Sequence, residues 1–99
     1  MSGVDLRFYP DPETGEPHIY NHGVTEEEVE EVLDDPGEER PGKSNARVAI
    51  GATEAGRMLR VIYTRDPVPG SVFVITAYDL RGKPLVAYRR RQRRKKRRR

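Results

Sequence analysis

From Arg47 to Leu80 the chain carries three apolar-rich runs separated by turn-length gaps, and this limits the fold more than any other feature. RVAIGAT (47–53) and MLRVIYTR (58–65) flank EAG and Arg57, a hairpin-sized gap in which Gly56 is free to take positive φ. MLRVIYTR and SVFVITAYDL flank DPVPG, a second hairpin signal. In the middle run Leu59, Val61 and Tyr63 alternate with Arg60, Ile62 and Thr64, the period of a strand. In the last run Val72, Val74 and Thr76 oppose Phe73, Ile75 and Ala77, as in a central strand covered on both faces.

A meander of this kind needs a layer to cover it, and the acidic segment upstream supplies one. In VTEEEVEEVLDDPG, Thr25 is an N-cap, and Glu28 stands three residues on to complete a capping box. Val24 and Val29 are placed for a hydrophobic staple, and Glu26 and Glu27 suit the positive end of the helix dipole. Val29, Val32 and Leu33 form one narrow apolar stripe before Pro36 and Gly37 end the helix. Upstream, DLRFY alternates like a short strand, and HIYNH between Pro17 and Gly23 reads as a single helical turn. The expected fold is α+β: a small antiparallel sheet of three to four strands (5–9, 47–53, 58–65, 72–80) on an acidic helix (26–35). A helix starting at about Pro84 and carrying Leu85, Val86 and Tyr88 completes it. One domain, 1–88, is expected, followed by an arginine-rich tail, 89–99, disordered when unbound because like charges repel along it.

The formal net charge of +3 conceals three electrostatic blocks. Residues 1–39 hold thirteen Asp and Glu against Arg7 alone; residues 40–83 hold eight Lys and Arg against three acids; the tail adds ten cations. Ten adjacent cations call for a polyanion, and phosphate binding by counterion release scales with the cations engaged. An anionic membrane is less suited, since no apolar helix adjoins the basic run. Folding of the tail onto the acidic helix is a further arrangement, limited by a Debye length of about 8 Å at physiological salt. The absence of cysteine excludes disulfides, thiolate zinc sites and cysteine nucleophiles. His18 and His22 at i, i+4 lack a third ligand at metal-binding spacing, so no metal and no cofactor are expected. With no membrane-length apolar run and no signal-like N-terminus, the expected compartment is the cytoplasm.

The motif order D-P, N-H-G-V-T-x-E-E-V-x-x-V-L, G-A-T…G-R-x-L-x-V-I-Y and V-I-T-A resembles the BrnT family across about Phe8 to Tyr88. It also resembles a related group of small uncharacterised bacterial proteins sharing the H-G-(V/I)-(S/T)-x-E-E-V core. The resemblance implies a RelE-like endoribonuclease of a bacterial type II toxin–antitoxin pair, acting without metal. RNA, in a ribosomal setting, and a cognate antitoxin are the partners it implies. Three basic residues usual in that family are replaced here: Glu13 and Thr14 follow Asp11-Pro12, Asn21 precedes His22, and Tyr78 stands at the end of ITAY. These replacements keep a second reading open, a non-catalytic module whose acidic helix meets a protein and whose tail meets nucleic acid.

Metal-free RNA cleavage requires a base for the 2′-OH, cations for the phosphorane and an acid for the leaving oxygen. His22, Arg57, Tyr63 and Tyr78 are the candidates for those roles, with Tyr88 a further hydroxyl. Nucleic-acid contacts are expected from Arg60, Arg65, Arg81, Lys83, Arg89, Arg90, Arg91, Arg93, Arg94, Lys95, Lys96, Arg97, Arg98 and Arg99. Each has a plainer role open to it. His22 before Gly23 suits last-turn carbonyls, the tyrosines suit a half-buried sheet, and the strand arginines suit solvent. Arg60 and Tyr63 also fall on opposite alternation phases, so a flat strand does not aim both at one site.

Overall fold

The computed structural model describes residues 5–65 and 70–97, the last by its backbone only. The order of elements is β1 (Asp5–Phe8), a 3-10 turn (His18–His22), α1 (Glu26–Asp34), β2 (Glu38–Pro41), β3 (Arg47–Ala52), β4 (Met58–Arg65), β5 (Ser71–Asp79) and α2 (Gly82–Arg97). The strands form one mixed sheet in the order β1-β5-β4-β3-β2. The α+β class expected from sequence is present, with five strands in place of three or four.

β2 is the added strand, and the pairing of β1, a strand expected from sequence, makes the sheet mixed in place of the expected antiparallel one. β1 pairs parallel to β5 (Leu6↔Val72, Phe8↔Val74), and the Tyr9 N–H continues the ladder to the Val74 carbonyl at 2.8 Å. A parallel partner from the far end of the chain leaves no local turn signal. β2, which lacks apolar alternation, is an edge strand whose Glu, Arg and Pro are typical of protected sheet edges. It reaches β3 through Ser44 (φ 52°) and Asn45 (φ 67°), with the Ala46 N–H bonded to the Lys43 carbonyl at 2.9 Å. Two consecutive positive φ values make this a mirror-image hairpin turn, which matches the twist of the strands. Ser-Asn supplies it without the glycine that usually marks it in a sequence.

Each sheet face has its own core. On one, Val29, Val32 and Leu33 of α1, with Ile19 and Val24, pack on Ala49, Leu59, Val61, Tyr63, Val72, Val74 and Ala77. The capping box is made as expected: the Glu28 N–H donates to Thr25 Oγ1 (3.1 Å) and the Thr25 N–H donates to Glu28 Oε1 (3.0 Å). Gly23 (φ 66°) closes the 3-10 turn in the left-handed conformation, its N–H donating to the Tyr20 carbonyl. On the other face, Leu80 and Tyr88, with Leu85, cover Val48, Ile50, Met58 and Ile62. The acidic and the basic helix therefore sit on opposite faces of the sheet.

A bulge in β5 revises the expected alternation. Ile62 pairs with Thr76 and Tyr63 with Val74, so Ile75 is the extra residue. Beyond it the phase inverts. Ala77 joins Val72 and Val74 in the α1-side core, while Thr76 and Tyr78 join Phe73 on the α2 side.

The basic tail also departs from expectation. Helix α2 does not stop at Tyr88; it begins at Gly82 and runs through the basic segment to Arg97. Tyr88 is 7% exposed and lies over Gly37, where an added Cβ would overlap the Tyr88 hydroxyl and stand 3.0 Å from its Cζ. Gly37→Ala is expected to displace α2 at a cost on the order of 2 kcal/mol. In thermal melts the Tm should fall by about 10 °C; an unchanged Tm would contradict this packing.

Candidate nucleic-acid interface

Helix α2 owes its position to an apolar turn followed by a polar one. Pro84 fits the first turn, and Leu85 and Tyr88, at i and i+3, face the sheet. One turn further, Arg91 forms a fork with Glu38 of β2, from Nε to Oε2 (2.6 Å) and from Nη2 to Oε1 (2.8 Å). Gln92, the one uncharged residue after Tyr88, donates Nε2–H to the Gly37 carbonyl at 2.9 Å. The Arg91 fork holds the Glu38 carboxyl below the usual carboxylate range, and burial pushes the Tyr88 hydroxyl up. Arg91, expected to contact nucleic acid, is thus an anchor.

The opposite face of α2 is a row of cations. At 3.6 residues per turn, Arg90 and Arg94 project directly away from Leu85, Tyr88 and Gln92, with Arg93 beside them and Arg89 and Lys96, one turn on from Leu85 and Gln92, on the flank; all five are exposed. All five carry no ion pair among the described residues, and the row faces solvent. Lys95 lies nearer Glu38, in the cleft it shares with Arg91, Gln92 and Arg94. Cations four apart on one helix repel by a few tenths of a kcal/mol per pair, so a bound polyanion would relieve stress in α2. The side chain of Arg97, and Arg98 and Arg99 entirely, lie outside the described residues.

The four candidate catalytic residues do not converge. Arg57 is a structural clamp. It grips Asp79 through Nε–Oδ1 (2.7 Å) and Nη2–Oδ2 (3.1 Å), and its Nη1 donates to Glu28 Oε1 (3.0 Å) and to the Gly23 carbonyl (2.8 Å). Its Nη2 also reaches the His22 carbonyl at 3.4 Å. One guanidinium thereby ties the β3–β4 turn, the 3-10 turn, the N-terminus of α1 and the end of β5. Asp79, chiefly, then Glu28, stabilise its charged form and raise its pKa.

Tyr63 is 3% exposed and donates its hydroxyl to Glu39 of β2. Burial first, and Glu39 second, push its pKa up, while Arg47 and Arg65 at the same sheet end oppose that shift. Tyr78 lies on the other face, in register with Arg60, so the sheet separates the two tyrosines. His22 and Tyr78 are the candidates that do meet, with ring centroids 5.9 Å apart. They line an open pocket of about 360 Å³ with Asn21, Asp79 and Arg81. Arg81 is paired with Asp79 at 3.0 Å, and Lys83 is exposed at the start of α2. Arg60 is half-buried, and its Nε and the Thr76 hydroxyl are enclosed without a hydrogen bond among the described residues.

Sequence reasoning misses Glu38 and Gln92 as anchors. Gln92 is detectable, since it falls in helical phase with Leu85 and Tyr88; Glu38 is hidden in an acidic third with no strand signal. Among the described residues no group of three or more His, Cys, Asp or Glu is arranged to hold a metal ion, and no helix is long and apolar enough to cross a membrane.

Replacing Arg57 with Gln should cost about 2 kcal/mol, the scale of charge-assisted hydrogen bonds left unpaired. The stability it supplies is also pH-dependent. Asp79 is lowered chiefly by Arg57; Glu28 is lowered by the Thr25 N–H and then by Arg57. That stability is complete above the unfolded carboxylate values of about 4 and is lost as pH falls through the lower folded ones. Thermal melts between roughly pH 2 and 7 should show Arg57→Gln least stable relative to wild type near neutrality. The gap should narrow in acid; a constant gap would contradict the clamp.

Comparison with known protein families, with curated proteins and with solved structures finds no match.

Proposed function

We propose that this protein binds RNA, with the exposed face of α2 as the phosphate-contacting surface, and does so without cleaving it. The observation that carries this reading is the docked basic helix. Arg89, Arg90, Arg93, Arg94 and Lys96 are exposed while Tyr88, Arg91 and Gln92 hold the same helix to the sheet. A docked helix presents its charges in fixed register, so less ordering entropy opposes binding than for a disordered tail.

The BrnT-like resemblance favours RNA as the polyanion. The scatter of the candidate catalytic groups favours binding over cleavage. Arg57 has carboxylates and carbonyls as partners, and Tyr63 and Tyr78 are divided by the sheet. On this reading the molecule is a non-catalytic relative of RelE-like ribonucleases, and the acidic α1 face is left for a protein partner such as an antitoxin.

Changing Arg89, Arg90, Arg93 and Arg94 together to Gln spares every α2 anchor. In a salt series with single-stranded RNA, the slope of log K against log[salt] should drop by about 3, at roughly 0.7 for each phosphate no longer neutralised. Affinity at fixed low salt should fall with it. An unchanged slope would refute α2 as the contact surface. Equal or tighter binding to duplex DNA would refute RNA as the ligand, and cleavage of the RNA would refute binding without catalysis.

A further inference from the structure

Beyond α2, the sheet carries a ladder of rings that neither core absorbs. Phe73 meets Tyr9 (6.5 Å between centroids), Tyr9 meets His18 (6.1 Å), His18 meets His22 (5.4 Å) and His22 meets Tyr78 (5.9 Å). All four contacts are edge-to-face, with interplanar angles from 61° to 89°, so no ring is stacked in parallel on another. Tyr9 is 40% exposed, His22 is exposed, and Phe73, His18 and Tyr78 are half-buried.

The β5 bulge is what puts Phe73 and Tyr78 on one face. In an unbulged strand that kept Ile75 in the alternation, Tyr78 would share the phase of Val72 and Val74 and be turned toward α1. Cations bracket the ladder. The Arg7 guanidinium lies 5.3 Å from the Phe73 centroid, Arg60 is in register with Tyr78, and Arg81 shares the pocket of His22 and Tyr78. Two carboxylates nearby are already engaged. Asp79 is held by Arg57 and Arg81; Asp11 accepts from Asn21 and the Glu13 N–H and lies 3.6 Å from His18 Nδ1.

Half-exposed aromatic rings interleaved with arginines are the surface on which unpaired bases stack, and a sheet face is a common place for them. We propose that the His22–Tyr78 pocket and the rings extending to Phe73 bind the unpaired bases of single-stranded RNA, while α2 contacts its phosphates. This rests on the RNA-binding reading and deepens it. His22 and Tyr78 then serve as stacking platforms in place of acid and base, and Arg81, at the entry to α2, joins the two surfaces.

The test compares a 12-nucleotide uridine RNA with a 12-base-pair RNA duplex, each titrated against wild type, Tyr78→Ala, Tyr78→Phe and His22→Ala. Tyr78→Ala and His22→Ala should each weaken single-strand binding at least about fivefold, the low end for removal of one base stack. Tyr78→Phe, which keeps the ring, should stay within about twofold, as should duplex binding by all three variants. Wild-type single-strand affinity in both alanine variants would overturn the stacking site while leaving RNA binding by α2 intact. An equal loss on duplex would overturn it as well, because the effect would then be on the fold or on phosphate contacts. Binding of neither RNA by the wild type would overturn the RNA reading itself, and this site with it.

Discussion

The distinctive property of this molecule depends on how one very basic helix is held against the body of the protein. Tyr88 lies over Gly37, Arg91 forks onto Glu38, and Gln92 bonds the Gly37 carbonyl, all within two turns of α2. Both targets stand at the start of β2, the edge strand, so docking of α2 depends on a hairpin built by an unusual Ser44-Asn45 turn. Remove the glycine or the carboxylate, and the clustered cations lose their register.

The sheet also works as an electrostatic partition. Glu27, Glu30 and their neighbours sit on α1 over one face, and α2 lies over the other. Among the described residues the basic segment therefore does not lie on the acidic helix, an arrangement that the charge pattern alone leaves open; there Arg91 pairs with Glu38 of β2. The Arg57 clamp belongs to the acidic side, where it fixes the N-terminus of α1 to the end of β5 and holds the His22 backbone beside Tyr78.

Much of the scaffold is legible in the sequence because its signals are local. Thr25 and Glu28 announce the start of α1, Gly23 the left-handed cap on the preceding turn, and the alternation of Leu59, Val61 and Tyr63 the phase of β4. What escapes depends on tertiary partners. The strand at β1 is expected, but its parallel pairing needs β5 from the far end of the chain; β2 is polar along its length, and the bulge at Ile75 leaves no mark in a run that is apolar on both phases. The site is legible in part. His22 and Tyr78 are candidates from sequence and do meet, but Tyr9, His18 and Phe73 are not, because no spacing rule links them. Arg57, a phosphate candidate by sequence, is consumed by Asp79 and Glu28, which only the fold brings to it. The basic run reads as a chain end repelling itself; its pairing with Glu38 and the favourable dipole at a helix C-terminus carry the helix on.

The central claim, that the cations of α2 are pre-arranged in the free protein, is tested most directly by nuclear magnetic resonance without RNA at physiological salt. Helical chemical shifts from Lys83 through Arg94, with contacts between the Tyr88 ring and Gly37, are the predicted result. Random-coil shifts from Arg89 onward, with no Tyr88–Gly37 contact, would contradict it.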